Sequence, residues 1–127
     1  MKLIHSSAVC RTEENANRFF KDILGLAEIK RQTVSAELTE KLFGAPVACP
    51  VILYGAGELA VEVFITESGS GRGHPAHHVA VAVPDREGVM ARCEAAGLKV
   101  NRATRGDALL VFVEDLDGNL FEIKEAE

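Results

Sequence analysis

The sequence contains an internal duplication, and this feature constrains the fold more than any other. His5 precedes Gly25-Leu26 by nearly the same number of residues as His78 precedes Gly97-Leu98. Each half then ends in a predicted strand with a glutamate between apolar neighbours, Val61-Glu62-Val63 in the first half and Phe121-Glu122-Ile123 in the second. Such internal similarity indicates two copies of one supersecondary unit.

Hydrophobic spacing predicts the same elements in both halves. The first half has a predicted helix over residues 13–24, a predicted short helix over residues 35–44, a turn at residues 55–57, and strands over residues 26–34, 47–54 and 59–65. The second half has a helix that Pro84-Asp85 caps and Gly97 ends, with strands over residues 78–83, 98–102, 108–113 and 120–124. The short segment over residues 3–10 is taken as the first strand of the first half. Each half is then predicted to be a strand, a helix and three strands.

The length of 127 residues is that of one domain. Two modules, residues 1–67 and 74–127, are joined by a predicted linker over residues 68–73, where small residues disfavour ordered packing. Such a linker permits modules of one chain, or of two chains, to pair, and we expect a homodimer.

Charge and composition exclude several classes of function. The net charge is −5 and no basic run is interleaved with aromatic residues, which disfavours binding to nucleic acid. Apolar stretches are only strand-length and the first residues lack a signal-peptide block, so we expect a cytoplasmic protein without a membrane segment. The odd number of cysteines, with no CxxC pair, predicts reduced thiols: Cys10, Cys49 and Cys93.

Strand alternation sorts the side chains of each strand into two faces. In residues 59–65 it places Val61 and Val63 on the core face, with Glu62 on the other. In residues 78–83 it leaves only small residues beside His78. The same argument predicts four potential ligands on faces that do not pack against the helices: His5, Glu62, His78 and Glu122.

Two imidazoles and two carboxylates suit a divalent ion such as Zn²⁺, Ni²⁺, Co²⁺, Mn²⁺ or Fe²⁺, and would leave positions free for substrate. A carboxylate in such a set can also take a proton from carbon, which makes Glu62 and Glu122 the candidate catalytic residues. Ser7 and Phe64 share these faces and are predicted to contact substrate. A single strand histidine or glutamate is usually solvated, so the metal interpretation depends on the match between the two halves.

The remaining polar candidates are interpreted as structural or solvated. His74 lies beside the linker, and alternation would place His77 with the core-facing valines. Arg102 and Arg105 could bind an anionic substrate end, but surface arginines are usually solvated.

These residues resemble the vicinal oxygen chelate superfamily, which includes glyoxalases, bleomycin-resistance proteins and dioxygenases. The resemblance spans essentially the whole chain. The residues and motifs that show it are His5, Phe19-Phe20-Lys21-Asp22-Ile23-Leu24-Gly25-Leu26, Val61-Glu62-Val63-Phe64, His78-Val79-Ala80-Val81-Ala82-Val83 and Val113-Glu114-Asp115-Leu116-Asp117-Gly118-Asn119-Leu120-Phe121-Glu122-Ile123.

The resemblance implies an α+β fold of two βαβββ modules whose strands form a cup-shaped mixed sheet around a divalent metal. It implies that His5, Glu62, His78 and Glu122 occupy the four ligand positions, a set most like that of bacterial glyoxalase I. There the metal holds two adjacent oxygens of a glutathione hemithioacetal and a glutamate, best matched by Glu122, moves a proton between neighbouring carbons. Val9 stands where such enzymes often have an arginine that contacts glutathione, so the resemblance does not fix the substrate.

The leading hypothesis is therefore a metal-dependent lyase or isomerase acting on a small substrate with vicinal oxygens. One alternative is a binding protein of the bleomycin-resistance type, which sequesters a small molecule without metal. Another is a thiol transferase or dioxygenase of the same superfamily, which generally uses three ligand residues. The content and ligands of bound metal would separate the three.

Overall fold

The computed structural model describes residues 1–67 and 72–127, which form two compact units on either side of the undescribed stretch. Most of the predicted linker, residues 68–71, lies outside the described residues. Both units are built from strands and helices, as the α+β prediction requires. Within the described residues, no helix has the length and hydrophobicity needed to cross a membrane.

The first module is a four-stranded mixed sheet with helices. Its elements are β1 (Ser6–Cys10), α1 (Glu13–Ala16) continued by a π-helical segment (Asn17–Ile23), β2 (Ala27–Val34), α2 (Ala36–Phe43), β3 (Cys49–Ala56) and β4 (Leu59–Ile65). The strand order is β1-β4-β3-β2, with β1 parallel to β4 and the other pairs antiparallel. The parallel pair requires the chain to cross between the two strands, and the intervening elements make that connection.

The second module repeats this plan. Its elements are β5 (Val79–Val83), α3 (Arg86–Ala95), β6 (Lys99–Arg105), β7 (Ala108–Glu114) and β8 (Leu120–Glu125). The strand order is β5-β8-β7-β6, again with a parallel first pair. The predicted duplication of two βαβββ modules is therefore confirmed at the level of strand order and direction.

The long helix predicted over residues 13–24 lies where expected but is mostly π-helical. Thr12 caps it by accepting a hydrogen bond from the backbone N–H of Asn15. The N–H of Leu24 then bonds to the carbonyl of Phe19, five residues earlier. This wider turn accompanies burial of two consecutive aromatic side chains, since Phe19 and Phe20 are 2% and 0% exposed.

Alternation sorted the core faces correctly within the strands. Val61 and Val63 are buried in β4, and Phe121 and Ile123 are buried in β8. In the second module α3 adds its own buried residues, Val89, Met90 and Cys93. The glutamates between these apolar neighbours therefore lie on the opposite face of each sheet.

Several predicted boundaries were wrong. Residues 55 and 56 continue β3, and the turn comes after them at Gly57, whose φ of 59° favours glycine. The strand predicted over residues 98–102 extends to Arg105, because β6 pairs with β7 along its whole length. The predicted segment 3–10 is a strand only from Ser6, and the strand predicted over residues 78–83 begins at Val79, so both candidate histidines lie just before their strands.

Candidate metal centre

The first module brings His5 and Glu62 together. His5 directly precedes β1, and Ser7, two residues further on, lies opposite Glu62 of β4 in the parallel ladder. Side chains two residues apart share a face, so the imidazole of His5 lies on the face that carries Ser7 and Glu62. Nε2 of His5 lies 3.9 Å from Oε1 of Glu62, and the side chains are 40% and 25% exposed.

The second module brings His78 and Glu122 together by the same register. His78 directly precedes β5, and Ala80, two residues further on, lies opposite Glu122 of β8. Nε2 of His78 lies 3.7 Å from Oε2 of Glu122. The Glu122 side chain is the more protected carboxylate, at 15% exposure. Each module thus places one imidazole and one carboxylate on the face away from its buried core.

The spacing within each pair suits two ligands of one ion. An ion about 2.1 Å from a nitrogen and an oxygen holds them roughly 3.0 Å apart at a right angle and about 4.2 Å apart when they are opposite. The distances of 3.9 Å and 3.7 Å fall inside that range and are too long for direct hydrogen bonds. The donor set of imidazole nitrogen and carboxylate oxygen fits Zn²⁺, Ni²⁺, Co²⁺, Mn²⁺ or Fe²⁺.

A backbone carbonyl sets the orientation of the His78 ring. Nδ1 of His78 lies 2.8 Å from the carbonyl oxygen of Ala76. A carbonyl can only accept, so in the neutral ring the proton resides on Nδ1 and the lone pair on Nε2 faces Glu122. Phe112 also contacts the ring edge to face, with centroids 5.1 Å apart. This support is typical of metal-binding histidines, in which the second nitrogen donates to a neighbour.

The two modules differ at the position two residues after each glutamate. In β8 this residue is Lys124, whose Nζ lies 3.1 Å from Oε1 of Glu122. In β4 it is Phe64, which contacts Phe43 of α2 edge to face at 5.6 Å. One His/Glu pair therefore has a cation beside its carboxylate, while the other has an aromatic side chain there.

The residues predicted to contact substrate occupy the expected faces. Ser7 is exposed and lies opposite Glu62 in the ladder, and Phe64 is half-buried on the same face. Their contact with a substrate stays a prediction.

The histidines and arginines outside the pairs have other surroundings. His77 is exposed, which corrects the expected core-facing placement, because β5 begins only at Val79 and alternation does not extend back to it. His74 is exposed as well, with its ring 5.8 Å from that of His77. Arg102 is ion-paired with Glu94 of α3, and Arg105 is exposed. None of these four side chains belongs to either pair.

Sequence reasoning missed three residues near the second pair: Lys124, Phe112 and Arg72. Alternation does place Lys124 on the face of Glu122, and that signal was available. The contacts of Phe112 and Arg72 depend on register and on a loop path that periodicity does not encode. Arg72 was assigned to the linker, yet its guanidinium donates to the backbone carbonyls of Pro75 and Gly118.

A buried turn connects β7 to β8 and so helps to place Glu122. Oδ1 of Asp115 accepts hydrogen bonds from the backbone N–H groups of Asp117 and Asn119, at 2.9 Å and 2.8 Å. Oδ2 accepts another from the side-chain amide of Asn119. Burial raises the pKa of Asp115, and these hydrogen bonds oppose that effect.

Comparison with known proteins identifies the family. Residues 2–123 match the sequence model of the Glyoxalase/Bleomycin resistance protein/Dioxygenase superfamily. The chain therefore belongs to this superfamily, as its resemblance suggested. No curated protein matches the sequence.

Solved structures share the fold at low sequence identity. A glyoxalase family protein from Enterococcus faecalis has a TM-score of 0.72 and 18% identity, covering 98% of this chain and 97% of its own. The glyoxalase I of Leishmania major, described as trypanothione-dependent, has a TM-score of 0.72 and 15% identity, covering 98% of this chain and 86% of its own. A variant of the fosfomycin resistance protein FosX from Listeria monocytogenes, complexed with Mn(II) and a dihydroxypropylphosphonic acid, has a TM-score of 0.72 and 15% identity, with coverages of 99% and 90%.

Proposed function

We propose that this protein is a metal-dependent lyase or isomerase of the glyoxalase I type, acting on a small substrate with vicinal oxygens. The observation that supports it most is the repeated construction of one His/Glu pair per module. In both modules, the residue two positions after the histidine lies opposite the glutamate in a parallel ladder. A glutathione hemithioacetal is the first substrate to test.

We further propose that His5, Glu62, His78 and Glu122 hold a single divalent ion. Each pair supplies only two ligands, whereas ions of this class take at least four, so two pairs together complete a set. Two further positions of a six-coordinate ion would accept vicinal oxygens. The ion, when bound, polarises a substrate oxygen and stabilises negative charge on it. The Mn(II) in the FosX complex supports a metal in a protein of this fold.

In this proposal the protein's own side chains move the proton. Glu122 accepts a proton from the substrate carbon and returns it to the neighbouring carbon, so that no oxidant or reductant is consumed. Glu62 is the second carboxylate able to serve at the opposite side of the substrate. Ser7 and Phe64, on the same face as Glu62, contact the substrate. The 15% exposure of the Glu122 side chain limits competition from solvent protons.

The first experiment counts ions. The purified protein is loaded with Ni²⁺ or Mn²⁺, desalted and assayed for metal per chain. We expect about one ion per chain, lost in both the double variant His5→Ala/Glu62→Ala and the double variant His78→Ala/Glu122→Ala. The control is His74→Ala/His77→Ala, which removes exposed histidines outside the pairs and should keep the ion.

Two results would contradict the shared ion. A protein that retains no metal would instead favour a metal-free binding protein of the bleomycin-resistance type. A protein that binds one ion in each module, with each double variant retaining its other ion, would show that the pairs act separately.

We propose a homodimer in the cytoplasm, with a small molecule as the substrate. If one site draws its modules from two chains, mixing the two inactive double variants will restore some metal binding, because one mixed site keeps all four ligands. If each chain completes its own site, the mixture will bind no more metal than the separate variants. Sedimentation or light scattering measures the size of the assembly.

A further inference from the structure

A cavity lies beside the His78/Glu122 pair in the second module. Its volume is about 270 Å³, enough for part of a small organic molecule. In the ladder, Glu122 of β8 lies opposite Phe112 of β7, and Phe112 lies opposite Asn101 of β6. Phe112 and Asn101 both line the cavity, so it occupies the sheet face that carries Glu122.

Phe112 and Leu120 connect the cavity to the His78/Glu122 pair, whose own side chains lie outside its lining. Phe112 forms part of its wall and contacts the His78 ring. Leu120, on the same strand and face as Glu122, forms another part. The remaining apolar wall consists of Pro75, Ala103 and Leu110. A molecule whose oxygens lie at the pair could therefore extend over an apolar surface into this space.

Arg72 supplies a fixed cation in the cavity wall. Its Nε donates to the carbonyl of Pro75 at 2.8 Å, and one terminal nitrogen donates to the carbonyl of Gly118 at 2.7 Å. The side chain is only 23% exposed, and a terminal nitrogen forms a long ion pair with Oε1 of Glu114 at 3.8 Å. A guanidinium already held by backbone carbonyls loses little conformational entropy when it binds an anion.

The charged lining of the cavity has a cationic excess. The lining residues Arg72, Lys99 and Arg102 are cationic, and Glu114 is anionic. Arg102 is neutralised by Glu94 on α3. This leaves Arg72 and Lys99 against Glu114, and Lys99 lies directly opposite Glu114 in the ladder. Arg72 is the protected cation of this lining, so its charge is screened less than that of the exposed Lys99.

We propose that this cavity binds the anionic end of the substrate, a carboxylate or a phosphorus oxyacid, at Arg72 and Lys99. The substrate is then a bifunctional molecule, with vicinal oxygens at the ligand pair and an oxyanion across the apolar wall. The position of the first end rests on the proposed metal-dependent function. The anion site itself stands on the second module alone.

The test uses hydroxamates, which present two adjacent oxygens to a metal. The Ni²⁺-loaded protein is titrated with ω-carboxyalkyl hydroxamates of increasing chain length and with the same hydroxamates ending in a methyl group. At one favoured length the carboxylate is expected to bind about tenfold more tightly, as one charge-assisted hydrogen bond would give. Equal affinity for both end groups at every length would overturn the proposal.

A matched pair of variants locates the effect. Ala103 is an exposed lining residue, so a larger side chain there is compatible with folding. Ala103→Glu adds a carboxylate to the cavity and should abolish the preference for the carboxylate end, while Ala103→Gln, of equal size, should retain it. Arg72→Gln should also reduce the preference. If Ala103→Glu retains the full preference, the anion does not lie in this cavity.

A metal-free arm separates this proposal from the proposed function. NMR of the metal-free protein monitors the Arg72 Nε–H and the Asn101 amide during titration with butyrate or with uncharged butyramide. Shifts with butyrate alone, absent in Ala103→Glu, support the anion site even if the metal-loaded protein shows no activity. Identical responses to butyrate and butyramide would overturn the anion site whatever the metal does.

Discussion

The ammonium of Lys124 lies 3.1 Å from Oε1 of Glu122, while Oε2 of the same carboxylate faces Nε2 of His78 at 3.7 Å. The carboxylate therefore has one oxygen paired with a cation and the other directed at the imidazole of His78. In the first module the position equivalent to Lys124 is the aromatic Phe64. The duplicated modules thus keep the His/Glu pair and differ in the side chain beside it.

This ion pair predicts that Lys124 weakens metal binding, because its ammonium competes with the ion for Glu122. Lys124→Gln should bind Ni²⁺ about two- to fivefold more tightly at low salt, as expected for a partly exposed ion pair. Lys124→Arg keeps the charge and should leave the affinity nearly unchanged. Calorimetric titration measures both. Lys41→Gln, which removes an exposed lysine paired with Glu37 outside both His/Glu pairs, is the control, and an unchanged or weaker affinity of Lys124→Gln would refute the competition.

Removal of the proposed base gives a second prediction. Glu122→Gln should lower turnover by about a hundredfold or more while the fold is kept, because the amide cannot accept the proton. Movement of a deuterium label from the substrate carbon to the neighbouring carbon of the product reports the proton transfer directly. Metal content is measured on the same sample, so that loss of the ion is distinguished from loss of the base. A metal-loaded variant with the parent rate would exclude Glu122 as the base.

The hydrogen bond between Ala76 and His78 predicts which ring nitrogen carries the proton. In the metal-free protein, neutral His78 should be the Nδ1–H tautomer, since the carbonyl at 2.8 Å accepts from Nδ1. Long-range ¹H–¹⁵N spectra of the imidazole distinguish the two tautomers. Dominance of the Nε2–H form would mean that the loop carbonyl does not hold the ring.

The buried tyrosine of the first module predicts a stability change at alkaline pH. Burial, reinforced by Glu13 and Glu28, raises the pKa of Tyr54 to about 12. The unfolded chain ionises near pH 10, so stability present below that pH is lost as the pH rises from about 10 to about 12. Tyr54→Phe should flatten this loss.

The same substitution has a smaller effect at neutral pH. The Tyr54 hydroxyl donates to Oδ1 of Asn17 at 2.8 Å. Tyr54→Phe should therefore lower the free energy of unfolding by about 1 kcal/mol at pH 7. Urea unfolding of both proteins across this pH range checks both effects, and parallel stability curves above pH 10 would contradict the assigned pKa.

Much of the fold could be predicted from the sequence because the local spacing of apolar residues indicates which segments form strands and helices. Alternation identified β4 and placed Glu62 on the face of the sheet away from the buried Val61 and Val63. The π-helical segment could not be predicted in this way, because its apolar stripe also fits an α-helix, and only the hydrogen-bond pattern separates the two.

The pairing of each candidate histidine with a glutamate was predictable from the sequence, but the surroundings of the pairs were not. The repeated His and Glu positions are visible in the sequence. The contact of Phe112 with His78 requires the register of β7 against β8, which alternation alone does not fix. The orientation of Arg72 depends on hydrogen bonds to the carbonyls of Pro75 and Gly118, which are far apart in the sequence. The surroundings of the pair therefore depend on long-range contacts, which the periodicity of the sequence does not predict.

The most direct test is a crystal structure of the Ni²⁺- or Mn²⁺-loaded protein, with the metal located by anomalous scattering. We predict one ion bound by Nε2 of His5, Nε2 of His78 and carboxylate oxygens of Glu62 and Glu122. An ion bound by only one of the pairs, or by residues outside both, would contradict the proposal that the duplicated modules build a single metal centre.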